Sequence, residues 1–259
     1  MVKHTFVICA YKESPYLEAC IQSILPQKED SEVIVCTSTP NAMIESLCEK
    51  YQLPMRVNDA PSSIHGDWNF AVAQAAGAYV TLCHQDDVYE IGYADAMRSA
   101  MKEGFDLFFT DYYELRKGEK HREGKLLAIK RLLQWPLRFR FLQRTRFAKR
   151  FSLRFGSGIC CPAVTYHKEA LPMPLFQAGF KSDLDWQTWE RLSRGKERFC
   201  YVPRPLMCHR IHEDSETSRI LNAHQRGNED YQMFCMFWPK GIARMLTRLY
   251  SASEKSNQL

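Results

Sequence analysis

The residues best suited to chemistry lie in "YVTLCHQDDVYE", Tyr79 to Glu90, where an apolar, β-branched run ends in His84-Gln85-Asp86-Asp87. Two adjacent acids repel one another, and a bound cation is one way to offset that repulsion. Hard divalent cations such as Mg²⁺ and Mn²⁺ are usually held by one or two carboxylates together with substrate phosphates. The competing reading is a plain turn, in which one of the acids caps the following helix. Cys160-Cys161 is the other reactive-looking pair, although adjacent cysteines seldom bridge, and inert buried thiols are the simpler reading. A third feature is "RFRFLQRTRFAKRFSLR", Arg138 to Arg154, which contains no acid and interleaves phenylalanines with arginines. Such a segment suits an anionic membrane surface, or else a solvated helix whose aromatics pack on its own domain. No nucleic-acid-binding motif accompanies it, so nucleic acid is not expected as a partner.

Alternating strand and helix patterns position these groups. "HTFVICAY", "EVIVCTST", "MRVND" and "AYVTLCHQDD" read as strands. Between them, "SPYLEACIQSILPQ", "NAMIESLCEKY" and "GDWNFAVAQAA" read as helices, with Ser14 and Asn41 as caps and Gly77 closing the third. Repeated strand-helix-strand units imply a Rossmann-like, mostly parallel α/β sheet flanked by helices. Ligands bind at the carboxyl ends of such strands, so Ala10-Tyr11, Thr37-Ser38 and His84 to Asp87 are expected along one rim. Further on, "DLFFTDYYEL" is a fifth strand, 117–125 a charged turn, and Leu126 to Arg154 basic and helical. "SDLDWQTWERLSRGK" is a helix closed by Gly195, and "RFCYVPRPLMCHRIH" a strand broken by two prolines. The stretch from Ser215 onward reads as helical, ending in a frayed "SASEKSNQL".

The chain has 259 residues, 45% hydrophobic and 25% charged, with a net charge of +5, which is ordinary for a soluble globular protein. Ten cysteines without C-x-x-C spacing suit a reducing cytosol better than a disulfide framework. The apolar run near the N-terminus is too short for a signal peptide or a bilayer span. A cytoplasmic protein is expected, either free or attached at the inner face of the cell membrane.

Three separated segments resemble family 2 glycosyltransferases of the GT-A fold, over roughly residues 4–220. "FVICAYKESPYLEACIQSILPQ" is similar to the family's first strand, donor loop and helix. "GDWNFAVAQAAGAYVTLCHQDD" is similar to its R-N…D-x-D-D segment, and "LDWQTWERLSRGKERFCYVPRPLMCHRIHEDS" to its E-D-W…V-P-x-P-L…R-x-H-x-x-S run. The resemblance implies an inverting transferase that moves a sugar from a nucleotide-diphosphate donor, UDP or dTDP, to a hydroxyl of a glycan or lipid-linked oligosaccharide. Bacterial surface polysaccharide synthesis is the setting it suggests. It divides the chain into a GT-A domain over 1–220 and a helical tail over 221–259. Within the domain, 1–115 would bind the nucleotide sugar, and 116–220 the acceptor, with a basic helical insertion at 126–154.

Residue by residue, the resemblance makes Asp86 the metal-binding acid for Mn²⁺ or Mg²⁺, with His212 completing the coordination or binding the leaving phosphate. Donor contacts would come from Ala10, Tyr11, Glu13, Ser38, Asn69, His84, Gln85 and Asp86. His84 replaces the first acid of the D-x-D motif, and Thr37-Ser38-Thr39 stands where acids usually read the base. Asp185 matches the base that would deprotonate the acceptor hydroxyl. Asp183 is its rival, and the Ser182-x-x-Asp185 spacing also suits a helix cap. Arg210 is placed to offset diphosphate charge or to pair with a structural carboxylate. Two other readings stay open. A nucleotidyltransferase normally carries a glycine-rich loop, which "AYKESPYLEA" lacks, and a non-catalytic glycan-binding protein could use a degenerate transferase fold.

Overall fold

The computed structural model describes residues 3–212 and 223–255. Its frame is a nine-stranded mixed sheet in the order β3-β2-β1-β4-β8-β6-β9-β5, with β7 pairing on β6. The strands are β1 His4–Ala10, β2 Ser31–Thr37, β3 Met55–Val57, β4 Tyr79–His84, β5 Val88–Tyr89, β6 Leu107–Arg116, β7 Glu119–His121, β8 Val164–His167 and β9 Phe199–Ile211. β3, β2, β1 and β4 are parallel neighbours, and β6 is parallel to β9. β8 runs antiparallel between β4 and β6, so β1, β2, β3, β4, β6 and β9 all point one way. The expected α/β architecture is thus present, and its carboxyl ends form the rim that the strand pattern predicts.

Parallel strands buried on both faces read as continuous apolar runs, because helices cover each side. In β1, Phe6 and Ile8 face one core and Val7 the other. The first core is closed by α1 Leu17–Ile24, α2 Ala42–Tyr51 and α4 Tyr93–Glu103. The second holds α3 Ile64–Gln74, α6 Arg146–Phe151, α7 Leu184–Ser193, α8 Ala223–Cys235 and α9 Lys240–Lys255. Trp186 and Trp189 of α7 are fully buried there beside Phe234 of α8. Full burial of one such side chain contributes about 2 kcal/mol.

Several local expectations shift for identifiable reasons. Asn41 caps α2 by accepting from Ile44 N at 3.1 Å, as expected. Ser14 does not cap α1. Its Oγ accepts from Tyr16 N, and the helix begins at Leu17. α3 begins at Ile64 under a Ser63 cap and ends at Gln74, while Gly77 is needed because a Cβ there would lie 2.8 Å from His4 backbone atoms. The charged turn contains a hairpin: Arg116 pairs with Glu119 across Lys117 and Gly118, whose φ values of 50° and 86° form a tight mirror-image turn.

The basic stretch is not one helix. α5 Lys125–Gln134 gives way at Trp135-Pro136 to two 3₁₀ turns, 135–138 and 140–142, before α6 resumes. Pro136 cannot donate the next helical hydrogen bond, although Trp135 before it keeps helical backbone angles. By contrast, β9 runs through its prolines. Its register against β6 shifts between Thr110 and Tyr113, and the irregularity absorbs Pro203 and Pro205. The expected helical end is present as α8 and α9, whereas Ser215 lies outside the described residues.

A polar seam crosses the sheet interior. His4 bridges Ser31 Oγ at 2.9 Å and Thr81 Oγ1 at 2.8 Å, and Thr81 meets Thr165 Oγ1 at 2.6 Å. Burial, aided by Arg98, pushes the His4 pKa down to about 3. An unfolded chain binds a proton at this histidine below about pH 6.5, and the folded chain does not until about pH 3. Stability should therefore fall by about 1.4 kcal/mol per pH unit from this residue alone as pH drops across that window. Urea unfolding at successive pH values measures it, and His4→Gln should flatten the slope.

Candidate functional site

The rim of the sheet gathers residues that are far apart in sequence. β4 ends at His84, and the turn that follows places Asp86 and Asp87 against the end of β9. The two carboxylates have different partners, which answers their mutual repulsion. Asp87 is fully buried, and its Oδ1 accepts from Arg210 N at 2.8 Å and from His209 Nδ1 at 3.1 Å. Burial works against charge on His209, but Asp87 and Asp86 outweigh it and raise its pKa above the ordinary histidine value. Asp86 is half-buried, and its Oδ2 accepts from His212 Nε2 at 2.9 Å. Burial opposes ionisation there too. The His212 hydrogen bond and the nearby His84 and His209 prevail and hold the carboxyl below the usual carboxylate range.

His84, Asp86 and Asp87 form a group whose ligand atoms all lie within 4.8 Å of one another. Burial lowers the His84 pKa and so favours the neutral imidazole, the form with a lone pair to offer. His84 Nε2 and Asp87 Oδ2 are buried with no hydrogen-bond partner among the described residues. Unsatisfied buried acceptors beside an ionised carboxylate fit a divalent cation. The set differs from the expected pair. His84 joins Asp86 in it, whereas His212 is seen as the hydrogen-bond partner of Asp86. Asp87→Ala removes the anchor of His209 and Arg210 N together, and should cost about 2 kcal/mol of stability, read as a lower thermal midpoint.

The expected donor residues line the neighbouring part of the rim, several of them with their side chains already engaged. Gln85 is an amide clamp: its Oε1 accepts from Tyr11 N and its Nε2 donates to Tyr11 O, both at 2.9 Å. It ties the loop after β1 to the loop after β4. Ala10 is buried at the end of β1, Tyr11 is half-buried, and Glu13 is exposed. Lys12 takes a left-handed φ of 56°, and its N–H donates to Thr39 Oγ1. Ser38 donates to Asp67 Oδ2 at 2.9 Å, and Asn58 Nδ2 holds Asp67 Oδ1 at 2.8 Å. A carboxylate from α3 thus reaches the end of β2, where the sequence shows only hydroxyls. Asn69 clamps the Phe176 backbone through both amide atoms, at 2.7 and 3.0 Å. Phe176 meets the edge of Trp68, and Trp68 stacks on His84 at 5.2 Å.

Asp185 is half-buried in the first turn of α7, and its Oδ1 accepts from Trp186 N at 2.6 Å. The Ser182 capping box does not form. Ser182 Oγ instead donates to Glu229 of α8, whose carboxylate also accepts from Lys181 N, Ser182 N and Asp183 N. Asp183 is buried at this helix start. Cys160 and Cys161 lie within electrostatic reach of both Asp87 and Asp185, and burial first, then those acids, pushes both thiols up. Both are buried free thiols, which suits the inert reading rather than a nucleophile.

Sequence reasoning missed Tyr16, Asp67, Trp68, His209 and Glu229. Tyr16 packs its ring 4.8 Å from His212 and 4.4 Å from the Arg210 guanidinium. Trp68 and Asp67 adjoin Asn69 in a segment already singled out, and a strand placing His209 and His212 together was the available signal for His209. Nothing local to Glu229 announces its role.

A sheet of this order, with an acid-histidine rim at its carboxyl ends, is the GT-A fold of nucleotide-sugar glycosyltransferases. Residues 5–170 match the family described as Glycosyl transferase family 2, and the chain belongs to that family. Among solved structures it is similar to S. aureus TarS 1-349 in complex with UDP-GlcNAc, with a TM-score of 0.62 at 16% identity over 95% of this chain and 70% of that one. The mannosyltransferase PcManGT from Pyrobaculum calidifontis, in complex with GDP-Man and Mn²⁺, gives 0.63 at 12% identity over 99% and 76%. Glucosyl-3-phosphoglycerate synthase from Mycobacterium tuberculosis, with Mn²⁺, UDP and phosphoglyceric acid, gives 0.59 at 16% over 92% and 79%. No curated protein matches.

Proposed function

We propose that this chain transfers a sugar, with inversion, from a nucleotide-diphosphate donor to a hydroxyl of a glycan or lipid-linked acceptor. The observation that carries the reading is the meeting of His84, Asp86 and His212 at the carboxyl end of β4 in a family 2 chain. Asp86, with His84 and Asp87, would hold Mn²⁺ or Mg²⁺, and the imidazole nitrogen in that set favours Mn²⁺ over the harder Mg²⁺. When bound, the cation supplies Lewis-acid neutralisation of the leaving diphosphate.

The chain's own side chains do the rest. The Asp185 carboxylate takes the acceptor hydroxyl proton as that oxygen bonds to the sugar C1. The bond from C1 to the diphosphate oxygen breaks, and its electron pair leaves with the nucleotide. Arg210, stacked on Tyr16 and donating to Asp86 O, lends positive charge on the leaving-group side. Asp67, fixed by Ser38 and Asn58, offers the carboxylate acceptor that a uracil or thymine N–H needs. Uridine is favoured, and it is also the base held by two of the similar structures above.

Incubation with UDP-, dTDP- and GDP-sugars plus Mn²⁺ tests the reading. Release of nucleoside diphosphate is the expected result. Pyrophosphate release would identify a nucleotidyltransferase instead, and the absence of turnover with every donor would leave a glycan-binding role.

A further inference from the structure

The basic stretch has a solvent face that the transferase reading leaves unused. Between residues 125 and 155 there are ten lysines and arginines and no acid. Apolar side chains of α5, the 3₁₀ turns and α6 face outward: Phe141 is 77% exposed, Leu132 and Phe147 are each 67% exposed, and Trp135 is 52% exposed. Trp135, Phe139 and Phe141 form a ladder with ring centroids 4.9 and 6.0 Å apart. Beside α6, Arg146, Phe147, Arg150, Phe151, Arg154 and Phe237 line an open groove of about 360 Å³. α9, whose Tyr250 packs onto Gly156 at the end of this stretch, presents Ile242, Met245 and Leu249 as a second exposed stripe, interrupted by Arg244 and Arg248. Arg140 and Arg144 face Glu103 and Asp106, while Arg138 and Arg146 are exposed at the edge.

We infer that this face docks on an anionic lipid bilayer surface. Exposed apolar area on this scale marks an interaction site. Tryptophan and phenylalanine tips interleaved with arginines suit the headgroup boundary, where rings enter the acyl edge and guanidiniums meet lipid phosphates. A second copy is disfavoured, because a two-fold contact would set arginine against arginine. Nucleic acid would leave Leu132 and the likewise exposed Ile129 of α5 without a role. No helix among the described residues is long and apolar enough to cross a membrane, so the contact is peripheral.

The inference stands apart from the transferase reading, since vesicle binding needs no donor. The full chain should co-sediment with phosphatidylcholine vesicles containing phosphatidylglycerol, and only weakly with phosphatidylcholine alone. Removing one surface charge, as in Arg138→Gln or Arg146→Gln, should weaken binding about fivefold at low salt. Phe141→Ser with Phe147→Ser keeps every charge and should weaken it about tenfold or more, while leaving soluble donor turnover unchanged. Binding that ignores both kinds of variant, or that is equal on neutral vesicles, overturns the proposal. So does concentration-dependent dimerisation abolished by Phe141→Ser, or an oligonucleotide bound in preference to vesicles.

Discussion

Asp185→Asn should bind nucleotide as the parent chain does and lose sugar transfer by about 10²–10⁴-fold, the range that general-base removal produces. The substitution is nearly isosteric, and asparagine keeps an oxygen to accept the Trp186 N–H, so α7 should keep its start. What it loses is the charge that draws the acceptor proton. The measurement is a pair: donor affinity by titration calorimetry, and transfer rate with saturating acceptor. Full-rate transfer by the variant removes Asp185 from the mechanism. Asp183, two residues earlier and more deeply buried at the helix start, is then the alternative carboxylate.

Asp86→Ala should abolish transfer more broadly, because it acts on the donor side. The carboxylate is ionised well below neutral pH, accepts from His212, and belongs to the cation-capable group. Loss of a cation's charge neutralisation at the leaving group is worth several kcal/mol, about 10³-fold or more in rate. A readout independent of turnover is available. Mn²⁺ at about a hundred times its dissociation constant should stabilise the parent chain by about 2.7 kcal/mol and leave the variant unmoved. Equal Mn²⁺ stabilisation of both proteins would place the cation elsewhere.

Much of the first half of the molecule was legible in the sequence because each signal there is local. Apolar runs between helical periods dictate parallel strands, and parallel strands bring Tyr11, Ser38 and His84 to one edge. Hidden were features that depend on partners distant along the chain. The antiparallel insertion of β8 between β4 and β6 follows no local cue. Ser182 and Asp185 have the spacing of a capping box, yet a carboxylate some 47 residues further along occupies the donors instead. Asn69 and Gln85 were expected as donor contacts, and in the structure their amides hold backbone in place. Asp67 illustrates the converse, since the acid missing from the end of β2 arrives from a helix.

The Glu229 anchor has a consequence for how such a protein can be divided. The family match ends at residue 170, whereas the carboxylate proposed as base rides on α7, and the three backbone amides just before that helix, of Lys181, Ser182 and Asp183, donate to Glu229 of α8. Grafting another member's counterpart of residues 5–115 onto this chain should exchange the nucleotide preference while the acceptor chemistry stays with the recipient. Trimming to the matched span would discard the proposed base and its tether alike. Under the proposed reading, donor and acceptor preference would then be open to change through separate stretches of gene.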